Sequence, residues 1–192
     1  MRTSTLIDDA RRGDASLDRK PIILAIDPGN TYSAYCLMKS DYTPIDKGKV
    51  LNDELLAYIK ENGSGADIIV TEMIASYGMP VGAEVFETCV MIGRVEQLAD
   101  QLHIPHTRVF RQEEKLYICH DSRAKDANIR HALIDRFAQH DKQRGTGMKK
   151  NPDFFYGFAN DMWAAFAVGV VYLDKQREEA LKARLNACER AR

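Results

Sequence analysis

The sequence carries almost no net charge: 27 Lys and Arg stand against 28 Asp and Glu, a formal balance of −1 at pH 7. That excludes a protein that holds nucleic acid by bulk positive charge, so a polyanionic partner would have to meet a local basic patch. The four cysteines, Cys36, Cys89, Cys119 and Cys188, form no Cys-x-x-Cys pair and follow no regular spacing. They read as reduced, mostly buried thiols of a cytoplasmic protein and argue against a zinc site. The longest apolar run, Met162 to Leu173, falls short of the about 20 residues that a bilayer requires. The first twenty residues lack the apolar core of a secretion signal, so neither membrane insertion nor export is expected. Internal repeats and a clear linker are also missing. What is present, 192 residues with 45% hydrophobic and 29% charged side chains, suits one globular domain with a substantial core.

The most telling stretch is Pro21 to Thr31, PIILAIDPGNT. An apolar run of strand length, apolar at consecutive positions, reads as a strand buried on both faces. Pro28 cannot extend it and Gly29 permits a tight turn, so Asp27 should stand at the strand's carboxyl end, where a side chain can meet a ligand. Tyr32 to Lys39 is a second strand and Thr43 to Leu51 a third, at the edge because of Pro44. The short links favour antiparallel hairpins. A short helix from Asn52 or Asp53 to Glu61 precedes Asn62-Gly63-Ser64-Gly65. Ala66 to Glu72, ADIIVTE, then repeats the opening pattern of an apolar strand ending in an acid. With a helix between them, these strands should be parallel through a right-handed crossover, which sets Asp27 beside Glu72.

Beyond the loop from Ile74 to Gly82, a helix is expected from Ala83 to Leu102, with Phe86, Val90, Gly93, Val95 and Leu98 packing on the sheet and Met91 filling the core. A fifth strand follows at His106 to Phe110, then a short helix over Arg111 to Cys119 and a clearer one over Ala124 to Ala138. Gln139 to Asn151 reads as a polar loop. The most apolar helix starts at Phe158 or Ala159 and ends at Leu173, with Asp161 in its first turn. Residues 1–20 read as a flexible arm, 21–174 as the domain, and 175–192 as a charged helical tail with a narrow stripe of Leu181, Leu185 and Cys188. Three carboxylates converging on one spot repel each other unless cations sit among them. Such hard oxygen ligands suit Mg²⁺ or Mn²⁺, and two ions roughly 4 Å apart activate water and hold the leaving oxygen in phosphodiester hydrolysis.

The order Ile26-Asp27-Pro28-Gly29, Val70-Thr71-Glu72 and Asn160-Asp161-Met162-Trp163-Ala164-Ala165 resembles the RuvC-like Holliday-junction resolvases of the RNase H-like superfamily. The likeness covers roughly Pro21 to Leu173. It implies an RNase H-like α/β fold: a five-stranded mixed sheet, three antiparallel strands then two parallel, flanked by helices. It also implies a homodimeric, Mg²⁺- or Mn²⁺-dependent endodeoxyribonuclease of the crossover-junction type that cuts branched DNA. In that scheme Asp27 bridges two ions while Glu72 and Asp161 each complete one. The family's DNA-holding lysines fall near Lys115 and Lys125. One departure is that the family's fourth acid or histidine, one helical turn before the last aspartate, is Phe158 here. Asn160 and Asp153 stand nearby, but neither has that spacing.

Positive charge for DNA is available from Arg123, Lys125 and Arg130 and from the loop bearing Lys142, Arg144, Lys149 and Lys150. Phe154, Phe155 and Tyr156 either stack on unpaired bases or anchor the last helix. Two other readings stand beside the nuclease. Phe158 and the slightly negative charge suit a non-catalytic module that binds branched DNA. Asp27-Pro28-Gly29-Asn30-Thr31 also fits the Asp-x-Gly-x-Thr opening of actin-like nucleotide binders, which need a second phosphate loop and a second domain that a chain of this length does not accommodate.

Overall fold

A computed structural model describes residues 19–62, 65–76, 78, 80–140 and 144–190. Most of the N-terminal arm, Lys142 and the 63–64 break therefore lie outside the described residues. The apolar runs form strands β1 (Ile22–Asp27), β2 (Tyr32–Lys39) and β3 (Pro44–Leu51), joined as antiparallel hairpins. Helix α1 (Asn52–Asn62) leads to β4 (Ile68–Met73), which pairs parallel to β1. Helix α2 (Ala83–Gln101) returns the chain to β5 (His106–Phe110), parallel to β4. The sheet order is β3-β2-β1-β4-β5, the mixed sheet expected from the sequence, with the Pro44 strand at one edge.

Alternation along the strands splits the core in two. Leu24, Ile26 and Ile69 pack with Leu55, Ile59, Met91, Val95 and Leu98 of α1 and α2. Ala25, Val70 and Val109 point the other way, toward α4 (Asp126–Phe137) and the long α5 (Met162–Arg190). Residues two apart share a face of a strand, so the same alternation fixes where the strand-end acids point. Helix α5 lies close on the sheet because Gly169 has no side chain: a Cβ there would run into Met38 Sδ and crowd Ala25.

Several expectations are corrected. Phe86, Val90 and Gly93 of α2 do not face the sheet; Phe86 and Val90 are 63% and 64% exposed. Helix α2 carries two apolar stripes, and Met91, Val95, Leu98 and Ala99 take the sheet-facing side. The last helix begins at Met162, after a left-handed residue at Asn160, and runs unbroken for 29 residues. Lys175 onward thus continues α5, and Leu181 and Leu185 are exposed on it. The polar loop contains a small hairpin, β6 (Gly147–Met148) and β7 (Asn151–Pro152), with Lys149 and Lys150 at its turn. Of the cysteines only Cys36 is buried; Cys188 is exposed. Phe154 and Phe155 anchor the last helix: Phe155 is fully buried among Phe137, Phe158, Trp163 and Phe166. Among the described residues no helix is long and apolar enough to cross a membrane.

Candidate active site

Three neighbouring parallel strands, β1, β4 and β5, end at the same edge of the sheet, the edge where open α/β sheets receive ligands. Asp27 closes β1, Glu72 stands near the end of β4, and Arg111 follows β5 as the first residue of α3 (Arg111–Cys119). The pairing of Ile26 with Thr71 puts the next residues, Asp27 and Glu72, at one level. Both share the face of Ala25 and Val70, toward α5.

The turn after Asp27 is held by contacts that sequence reasoning did not find. A Cβ on Gly29 would collide with the Tyr32 carbonyl, so the turn needs glycine. Asn52 Nδ2 donates to the carbonyls of Gly29 and Asn30, both at 3.0 Å. The buried Ser33 hydroxyl donates to Asn52 Oδ1 at 2.7 Å and accepts from the Gly29 N–H at 3.3 Å.

The carboxyls of Asp27 and Glu72, on neighbouring strands at one level, each act on the other's ionisation. Burial raises the Asp27 pKa, and the adjacent Glu72 charge and hydrogen bond add to this, pushing it up to about 8. Glu72 is also raised, by burial first and then by the charge of Glu114. With both carboxyls raised, the pair retains a proton well above the ordinary carboxylate range.

Arg111 and Glu114 were not singled out in the sequence. The available signal was that β5, like β1 and β4, runs into a charged residue at the same sheet edge. Arg111 Nη1 donates to Glu114 Oε2 at 2.9 Å and lies 3.5 Å from Glu72 Oε2, while Nη2 bonds Asp126. Glu114 is fully buried, and its Oε1 has no hydrogen-bond partner among the described residues.

Asp161 is placed differently from the expectation. It is the residue before α5, its carbonyl accepting the Ala165 N–H at 3.0 Å, and so caps the helix instead of lying in its first turn. Its half-exposed carboxylate accepts from Lys49 Nζ at 2.5 Å. Lys49 shares a cross-strand row with Ala34 and Asp27, which explains its presence here. The charge of Asp161 still acts on Asp27. Among the described residues, no three Asp, Glu, His or Cys side chains are close enough together to hold an ion. Two cations are paired with these acids: Lys49 with Asp161, and Arg111 with Glu72 and Glu114. The donor set nevertheless fits a hard divalent ion, with all-oxygen ligands, a buried excess of acid and an unpartnered carboxylate oxygen.

Phe158 lies outside the helix and inside the aromatic core, against Phe155, Trp163 and Phe166. That packing removes its position from the candidate ligands. Of the proposed DNA contacts, Lys115 lines a cleft with Glu72, Arg111, Gln112 and Ser122. Arg123 and Lys125 line another with Asn128 and His131. Lys149 and Lys150 are exposed on their hairpin.

No family model and no curated protein sequence matches the chain. The fold is RNase H-like, and solved structures share it. Thermus thermophilus RuvC superposes with a TM-score of 0.57 at 12% identity, covering 82% of this chain and 96% of its own. Its complex with Holliday junction substrate gives a TM-score of 0.58 at 12% identity, with the same coverage of 82% and 96%. The yeast mitochondrial Holliday junction resolvase Ydc2 gives 0.56 at 14% identity, covering 90% of this chain and 85% of its own.

Proposed function

We propose that the chain is a divalent-metal-dependent endodeoxyribonuclease of the crossover-junction type, acting on branched DNA as a homodimer. The observation that carries this reading is the pair of Asp27, partly buried, and Glu72, buried, set at one level at the carboxyl edge of the parallel strands. Structural relatives that include a RuvC complexed with a Holliday junction support the substrate class. Residues 21–174 form the nuclease domain in this proposal, and 175–192 a helical tail.

Asp27, Glu72 and Asp161 would hold the ions, two Mg²⁺ or Mn²⁺ per site, with Asp27 shared between them. Bound ions would supply Lewis acidity for the attacking water and the leaving oxygen. On ion binding Asp27 and Glu72 would give up the proton that their raised pKa values retain, and Asp161 would exchange Lys49 for an ion. The freed Lys49 ammonium then faces the phosphate. Lys115, beside Glu72 in the same cleft, contacts the backbone of the strand to be cut, and Arg123, Lys125, Lys149 and Lys150 hold the arms of the DNA. The exposed Phe86 and Val90 stripe on α2 suits pairing with a second copy, which would give two sites for the two strands of a junction.

The test is cleavage of a synthetic four-way junction with Mg²⁺ or Mn²⁺ and with chelator. Wild type should cut only with metal, and Asp27→Asn should lose at least about a hundredfold in rate. Undiminished cutting by pure Asp27→Asn overturns the mechanism. The second reading, a non-catalytic junction-binding module, is favoured by the Lys49–Asp161 pair and the core position of Phe158. It predicts junction binding without cleavage even in Mn²⁺.

A further inference from the structure

The carboxylate that no expectation covered is Glu114. It sits in the first turn of α3, and that turn starts at the site's edge because β5 ends there, level with β4 through the pairing of Met73 with Phe110. The side chain is fully buried, yet one oxygen, Oε1, has no partner among the described residues. A buried acceptor left this way is destabilising, more so when charged. The other oxygen shares the Nη1 atom of Arg111 with Glu72. Of the charges bearing on Glu72, that of Glu114 is the strongest, and Asp27 in turn acts on Glu114. Glu114 therefore belongs electrostatically to the Asp27–Glu72 pair, although it comes from a different element and a different part of the sequence.

We propose that Glu114 is a fourth carboxylate ligand of the ion site, on the Glu72 side, and that Arg111 is the cation that holds its place in the ion-free protein. This rests on the metal-dependent reading of the same site and deepens it. It also accounts for Phe158. In this arrangement α3 supplies an acid next to Glu72 through Arg111, while the position before the last helix goes to the aromatic core. Arg111 has somewhere to go when an ion enters, since its Nη2 is already bonded to Asp126, which is mostly exposed. Withdrawal toward Asp126 would free Glu72 Oε2 and Glu114 Oε2 together.

Calorimetric titration with Mn²⁺, together with Mn²⁺ electron paramagnetic resonance to count bound ions, tests this without relying on cleavage. Glu114→Gln, checked for folding by its circular dichroism melt, should bind Mn²⁺ at least about tenfold more weakly than wild type or lose one ion. Arg111→Gln, which keeps donors for Glu114 but removes the competing charge, should bind Mn²⁺ more tightly. If Glu114→Gln and Arg111→Gln both titrate like wild type while Asp27→Asn loses binding, the ion site is real and Glu114 only anchors Arg111; that result overturns the proposal alone. If wild type itself binds no Mn²⁺, the metal-dependent reading and this proposal fall together.

Discussion

At the scale of single residues, the site is a set of acids kept from full ionisation. Asp27, Glu72 and Glu114 are each raised first of all by burial. Burial is tolerable only because a proton and the Arg111 guanidinium offset part of the charge. The direction of the linkage follows. A carboxyl with a raised folded-state pKa contributes stability that is complete below its ordinary value of about 4 and is lost as pH rises through the folded value. For Asp27 that loss extends to about pH 8. Acids shifted the other way, such as Glu96 beside Arg108 and Asp174 beside Arg136, lose their contribution only in acid, below that window. The ion-free protein should therefore melt at a lower temperature at pH 8.5 than at pH 5.5. Mg²⁺ should restore more stability at the higher pH, where less proton competes for the ligands. Melts in chelator and in Mg²⁺ at both values measure this, and equal melting points in chelator would contradict it.

At the scale of elements, the sheet and its acids were legible in the sequence because they are local signals. Apolar runs ending in Asp27 and Glu72, punctuated by Pro28 and Gly29, require strand ends, and an intervening helix requires a parallel crossover. Helix faces were less legible. Two apolar stripes on α2 satisfy the same periodicity, and only the tertiary position of the sheet chooses Met91 and Val95 over Phe86 and Val90. The start of α5 was misplaced because the apolar residues before it, Phe155 and Phe158, are core aromatics in turns rather than helix. The pairing of Lys49 with Asp161 joins separate elements and has no periodic signature. Arg111 and Glu114 have ordinary i,i+3 helical spacing, and only the place where β5 stops brings that pair to Glu72. Helix α5 also makes a prediction at this scale. Gly169→Val would force the helix off Met38 and Ala25 and should lower stability by about 1–3 kcal/mol in a denaturant titration. An unchanged midpoint would show that the close contact is not needed.

At the scale of the whole molecule, function depends on what the domain presents outward. One end of the sheet presents the acids with Lys115, and the flank presents the exposed Phe86 and Val90 of α2, with Val90 and Gly93 bordering a cleft shared with Leu56 and Lys60 of α1. Phe86→Glu together with Val90→Glu should convert a dimer to a monomer in light-scattering chromatography with the fold intact. A wild type that is already monomeric at high concentration would remove that surface from the proposal. With a near-zero net charge, the proposed DNA binding would rely on local groups such as Lys149 and Lys150 at their hairpin. Everything in the functional reading converges on ions entering between Asp27 and Glu72. The most direct measurement is a crystal soaked in Mn²⁺ with anomalous scattering recorded at the manganese edge. The expected result is anomalous density ligated by both Asp27 and Glu72, with Asp161 turned from Lys49 toward it. Well-ordered density with no manganese there at saturating Mn²⁺ and pH above 8, and Asp161 still paired with Lys49, would contradict it.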